Sequence, residues 1–198
     1  MVTLESSRRE MKGEYELKII RSRRKTISLE VKDEKTVIVR APRRASERFI
    51  RNFVLSHERW IKNRLDTMNR LREAAGPPLS DAEISELYKK AAEVIPKRVE
   101  YYAPRIGVDY GRITIRKQKS RWGSCSAKGN LNFNCLLMLT RPEVIDSVVV
   151  HELCHRKEMN HSARFYEEVL KAFPDYRIWD KWLKKNGAAI LMRGNTAT

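Results

Sequence analysis

Apolar positions along this 198-residue chain change their period, and the changes mark out the elements. Residues 15–20 (Tyr-Glu-Leu-Lys-Ile-Ile) and 26–32 (Thr-Ile-Ser-Leu-Glu-Val-Lys) alternate apolar and polar, which predicts two half-buried strands joined as a hairpin. Residues 36–41 predict a third strand after a turn at Asp33-Glu34-Lys35. The period then lengthens. Ile50, Phe53, Val54, His57, Ile61, Leu65 and Met68 recur at helical spacing and predict one helix over about 47–70. His57 lies on that apolar stripe and reads as a core or interface residue rather than a ligand. Gly76-Pro77-Pro78 marks a linker over 73–80. Ser80-Asp81-Ala82-Glu83 has the form of a capping box and opens a helix to about 103, with a kink expected at Pro96. Residues 112–117 and 129–139 predict strands on either side of a loop over 119–126. A last helix is expected from about Asp175 to a stop at Asn186-Gly187, leaving 188–198 as a frayed tail.

One predicted helix carries the candidate chemistry. Thr140-Arg141-Pro142-Glu143 reads as a capping box with proline in the first turn, and Val144, Ile145, Val148 and Val149 supply the apolar stripe. About two turns on stands His151-Glu152-Leu153-Cys154-His155, an HExxH zinc-hydrolase signature. Residues four apart on a helix share a face, so both imidazoles can reach one ion, and Glu152 on the same turn can serve as a base. The helix is expected to end near Asn160 in a left-handed turn that swings His161 back as a third ligand. Glu158, Glu167 and Glu168 are the alternatives for that position. Ser162 is placed to cap a following helix with Phe165, Val169 and Leu170 inward.

Composition narrows the setting. The longest apolar run, Cys135–Leu139, is far too short to span a bilayer, so no membrane partner is expected. The first twelve residues lack the apolar stretch of a secretory signal, which makes cytoplasmic residence the default. Three cysteines with no CxxC pattern argue for reduced thiols rather than a disulfide framework. The net charge of +16 is uneven: residues 1–72 hold 20 Lys/Arg against 10 Asp/Glu. A surface for nucleic acid, nucleotide phosphates or anionic lipid is one reading, and a solvated face is the other. Arg21, Arg23, Arg24 and Lys25 would stand together at the predicted hairpin tip as a polyanion contact.

Arg121-Trp122-Gly123-Ser124-Cys125-Ser126, Gly129-Asn130-Leu131-Asn132-Phe133-Asn134, the stretch from Val149 to His155, and Asn160-His161-Ser162 together resemble the YgjP-like metallopeptidase family, related to the SprT and WLM zinc proteases. The resemblance extends upstream through Ile20–Ile27 and Val39–Pro42, covering roughly residues 15–185. It implies a zincin-like α+β fold, with a small antiparallel sheet, helices, and HExxH on a central helix. It also implies one Zn²⁺ per chain on His151, His155 and His161, with Glu152 as catalytic base.

The leading expectation is therefore hydrolysis of a peptide bond in a peptide or protein substrate. Substrate would lie along an edge strand near Asn130, Asn132 and Asn134, with Trp122 and Ser124 shaping the cleft wall. Some members of the family carry the label metal-dependent UTP pyrophosphatase, which keeps a nucleotide substrate as the second expectation; against it, the chain has no glycine-rich phosphate loop. The third is a nucleic-acid-associated protease tethered by the basic N-terminal region. The expected organisation is a basic strand-and-helix region over 1–72, a zincin-like core over 80–187 and a tail over 188–198, all in one compact domain. The sequence leaves the oligomeric state open.

Overall fold

The apolar run Val37-Ile38-Val39 is buried on both faces, as suits a central strand. In the computed structural model, which describes residues 7–12 as backbone and residues 15–194 in full, this run lies in β4 (Thr36–Pro42). It belongs to a four-stranded sheet in the order β1-β2-β4-β3. β1 (Ser7–Lys12) pairs antiparallel with β2 (Tyr15–Ser22), β2 runs parallel to β4, and β3 (Ser28–Val31) pairs antiparallel with β4. The hairpin predicted between residues 15–20 and 26–32 does not form, because β4 lies between β2 and β3. Arg21 to Lys25 is therefore a crossover rather than a hairpin tip. Tyr15, Leu17, Ile19, Val37, Val39 and Ala41 project from one face of the sheet onto Ile50, Val54, Ile61 and Leu65 of two helices.

Those helices were expected as one. α1 (Glu47–Ser56) stops at His57 and α2 (Glu58–Ala75) begins after it. The His57 Nδ1–H donates to the Phe53 carbonyl at 2.8 Å, and the Ser56 hydroxyl donates to the same carbonyl at 2.9 Å. Such local bonds compete with the helical ladder. His57 is a half-buried cap, not a core residue.

The chain divides into two compact units, Met1–Ala74 and Ala75–Thr198. The second unit opens with α3 (Asp81–Ile106). Ser80 and Glu83 form both bonds of the capping box, and Gly107 closes the helix at φ 76°, a left-handed conformation that favours glycine. A three-stranded sheet follows in the order β5-β7-β6, from β5 (Ile113–Arg116), β6 (Gly123–Cys125) and β7 (Leu131–Asn134). β7 runs parallel to β5 and antiparallel to β6. Each sheet thus contains a parallel pair, where one antiparallel sheet was expected. Within the segment read as a loop over 119–126, Gly123–Cys125 form an edge strand, and the long strand predicted over 129–139 ends at Asn134. Cys135–Leu139 is a 3₁₀ turn in which the Asn134 side-chain oxygen accepts from the Leu136 N–H.

α4 (Pro142–Cys154) is the central helix, with ten of its thirteen residues buried. It starts one residue later than read. Arg141 is the N-cap without a side-chain bond, and Thr140 Oγ1 donates instead to the Leu137 carbonyl at 2.7 Å. α5 (Ala163–Ala172) is capped by Ser162, whose hydroxyl accepts from the Phe165 N–H. α6 (Tyr176–Gly194) runs through Asn186-Gly187 and through most of the segment read as a tail. Gly187 is a contact point rather than a stop: a Cβ there would lie 3.0 Å from the Trp122 indole nitrogen. Two turns further, a Cβ on Gly194 would meet Leu136 at 2.5 Å. Residues 195–198 lie outside the described residues. The fold is α+β. Among the described residues no helix is long and apolar enough to cross a membrane.

Candidate metal centre

α4 delivers His151 on its last turn, and His155 is its C-cap at φ −63°, ψ −13°, still a right-handed helical conformation. The four-residue spacing therefore acts as in a helix, with the two rings 4.9 Å apart between centroids. The return of His161 differs from the sequence reading. No residue other than glycine has a positive φ among the described residues, so Asn160 makes no left-handed turn. The chain turns earlier, through N–H bonds from Arg156 to Leu153 O and from Lys157 and Glu158 to Cys154 O. The Arg156 guanidinium fastens this turn to the Asp109 and Ala127 carbonyls. Lys157 pairs with Glu168 on α5.

The three imidazoles then converge, with one ligand atom from each within 4.8 Å of the others. Phe165, fully buried, lies beneath them with ring centroids 4.9, 4.6 and 4.9 Å from His151, His155 and His161. Hydrogen bonding decides which nitrogens face inward. A carbonyl can only accept, so the His155 contact to Glu158 O at 3.0 Å puts the proton on Nδ1 and leaves Nε2 bare. His151 Nδ1 shares a hydrogen bond with the Tyr176 hydroxyl at 2.8 Å, which directs its Nε2 toward His161 Nε2, 2.9 Å away. Two ring nitrogens approach this closely only with a proton or cation between them. Nitrogens sharing a tetrahedral zinc at ~2.0–2.1 Å would lie roughly 3.3 Å apart, so a few tenths of an ångström of movement suits the pair to that ion. The donor set fits a divalent metal of intermediate softness.

Burial sets the protonation states. It drives the His151 pKa down to about 3, with the neighbouring His155 and His161 adding to the effect. His155 is also lowered, mainly by burial. Both rings are thus neutral, the state a metal requires. Glu152 is 6% exposed, and burial raises its carboxyl to about 8, partly offset by the Cys125 backbone N–H. It packs on Gly123 of β6, where a Cβ would come within 2.6 Å of Oε1. A cavity of about 230 Å³ opens beside His151 and Glu152, walled by Trp122, Val148, Tyr176 and Leu183.

The other sequence candidates fall into two groups. Trp122 lines this cavity. The asparagines mostly fasten the strands: Asn134, fully buried, donates to the Gln118 and Arg121 carbonyls, both at 2.9 Å. Asn130 Oδ1 accepts from the Arg112 N–H, and Asn132 Nδ2 donates across the sheet to Ser124 Oγ at 3.2 Å. β7 is the central strand, so the edge is offered by β6 rather than by Asn130–Asn134. In the first unit, Arg21 donates to the Ala45 carbonyl at 2.5 Å and Arg24 to Ser28 Oγ at 2.9 Å. Of the four cations in that cluster, Arg23 and Lys25 stand exposed. Two residues at the centre went unread in the sequence, Gly123 as the floor under Glu152 and Tyr176 as the partner of His151. Neither lies at a spacing that marks it, since each reaches α4 across 25 residues or more.

A family model described as YgjP-like, metallopeptidase domain, matches residues 25–87 and 73–186. Among solved structures, the metallopeptidase zymogen of Pyrococcus abyssi abylysin is similar at 22% identity and a TM-score of 0.43, over 52% of this chain and 100% of that one. The metallopeptidase zymogen of Methanocaldococcus jannaschii jannalysin is similar at 21% identity and a TM-score of 0.40, over 47% of this chain and 97% of that one. No curated protein matches the chain.

Proposed function

The chain belongs to the YgjP-like metallopeptidase family, and from that premise we propose that it is a zinc peptidase using His151, His155 and His161 as ligands and Glu152 as its base. Membership makes it a metal-dependent hydrolase of peptide or protein substrates. The observation that carries the finer reading is the convergence of three imidazoles, one with its proton fixed on the outer nitrogen, beside a buried carboxylate. When bound, zinc lowers the pKa of a coordinated water to about 7 and polarises a carbonyl oxygen.

The remaining work falls to the chain. Glu152 takes a proton from the attacking water and returns it to the leaving amine. In the metal-free site burial favours the neutral carboxyl, and a nearby dication would favour the carboxylate that accepts the proton. β6, at the sheet edge beside Glu152, presents its outer backbone to an extended substrate. The cavity between Trp122 and Leu183 receives a side chain next to the scissile bond. We place the enzyme in the cytoplasm, where Cys125, Cys135 and Cys154, all free, remain reduced.

Offering the zinc-loaded protein an unfolded polypeptide and UTP in parallel tests this reading. Polypeptide should be cut, a chelator should stop the reaction and zinc should restore it. Turnover of UTP without proteolysis would replace the reading with a pyrophosphatase. The internal bonds of Arg21 and Arg24 leave little of the triphosphate clamp that alternative requires. In the same preparations, His161→Ala should lose most of its bound zinc, and full occupancy would move the third ligand elsewhere.

Two further outcomes follow from the contacts. Gly123→Ala drives a methyl group into the Glu152 carboxylate and should lower kcat by roughly 10-fold or more. Bound zinc should be unchanged, so a variant that also loses its metal would point to general misfolding. Tyr176→Phe removes the bond to His151 Nδ1, and partners of this kind contribute about 10–100-fold to metal affinity. Competition with a chromophoric chelator reads that change directly.

A further inference from the structure

α2 carries five Lys/Arg against three Asp/Glu, and they are unevenly placed around it. Going around this helix, Ile61 and Leu65 face the core. Glu58, Lys62, Asp66, Asn69 and Glu73 follow one another at helical spacing along one flank, so its charges are mixed. The other flank carries Trp60, Asn63, Arg64, Thr67 and Leu71 at i, i+3, i+4, i+7 and i+11, bordered by Arg70, with no acidic residue among them. Trp60 is 46% exposed. Arg64 is exposed and has no ion-pair partner among the described residues, and Arg70 reaches only the Asp66 carbonyl of its own helix. Arg72, in contrast, is paired to Glu34.

We propose that this flank of α2 binds single-stranded nucleic acid, with Trp60 stacking on an unpaired base and Arg64 and Arg70 on the flanking phosphates. Complementary charge selects a polyanion, and the exposed indole selects one with accessible π-faces, which the bases of a duplex do not offer. An anionic membrane is the weaker fit. Surface-lying helices bury a continuous apolar face, and the apolar face of α2 is already packed in the core. The cations singled out in the sequence, Arg21 to Lys25, are not the centre of this surface, since two of them are tied internally. The proposal is independent of the peptidase reading.

Fluorescence anisotropy of the whole protein with labelled oligo-dT and oligo-rU, across a salt series, tests it. Binding should weaken steeply with salt. Trp60→Ala should reduce affinity about 5–100-fold while Trp60→Phe retains most of it. The pair Arg64→Gln and Arg70→Gln should flatten the log–log salt slope by about 1.4, as two single-strand phosphate contacts would. A matched pair on α6, Arg177→Gln and Lys185→Gln, should leave the slope unchanged. Unchanged thermal melting keeps each comparison valid, because all these side chains are exposed. Absence of binding at low salt, equal loss in the α6 pair, or no effect of Trp60→Ala would overturn the proposal. So would tighter capture by phosphatidylserine-containing vesicles than by either oligonucleotide.

Discussion

Glu152→Gln should reduce peptide cleavage by about 10²–10⁴-fold while leaving bound zinc in place. The amide keeps the shape and the contact with Gly123 but cannot accept the proton of the attacking water. A second readout separates this chemical loss from damage to the fold. In chelator-treated protein the Glu152 carboxyl stands at about 8, above its ordinary 4.5, because it is buried. A group raised in this way gives its full stability below about pH 4.5 and loses it as pH rises through about 8. Glutamine carries no such penalty, so the chelated variant should melt higher than chelated wild type at alkaline pH. A variant that is inactive but melts lower at every pH would show that Glu152 holds the structure rather than the reaction.

His151→Ala should abolish both activity and stoichiometric zinc. One of three converging ligands is lost, and with it the ring that Tyr176 orients. The pH behaviour again identifies the cause. Burial lowers His151 from 6.5 to about 3, so its folded form prefers to be neutral. Its contribution is complete above about pH 6.5 and is lost as pH falls toward about 3. The contributions of His151 and Glu152 therefore run in opposite directions with pH. For these two groups, chelated wild type should show little net slope between about pH 4.5 and 6.5, with stability falling on either side. His151→Ala should shrink the acidic fall to the part that His155, also lowered by burial, contributes, and keep the alkaline one. Thermal unfolding of both proteins from about pH 4 to about pH 9 measures this. An acidic fall of equal size in the variant would place its origin elsewhere.

Elements whose signal is local were legible from the residues alone. The Ser80–Glu83 box, the Ser162 cap and the apolar stripes of α3 and α5 depend on neighbours within a turn or two, and they stand where the spacing put them. The errors arose where a distant partner overrode a local preference. Asn186-Gly187 has the form of a helix stop, but the indole of Trp122 needs the space a missing Cβ leaves, and α6 continues past it. Thr140 has the form of an N-cap, but its hydroxyl closes the preceding 3₁₀ turn. The strand read through Cys135–Leu139 gave way once the Asn134 side chain satisfied the start of that turn.

The sequence by itself determined the chemistry offered. It supplied two histidines one helical turn apart, a carboxylate between them, a third histidine in the following turn and a basic first third. These follow from residue identity and a fixed helical repeat, which need no partner. Only the tertiary structure decided how that chemistry is set. Gly123 and Cys125 shelter Glu152, Tyr176 and Glu158 orient two of the imidazoles, Phe165 supports all three, and the edge beside the site belongs to β6 instead of β7. Strand order, burial and the close approach of a side chain to a missing Cβ depend on segments distant in the chain, and no local period encodes them.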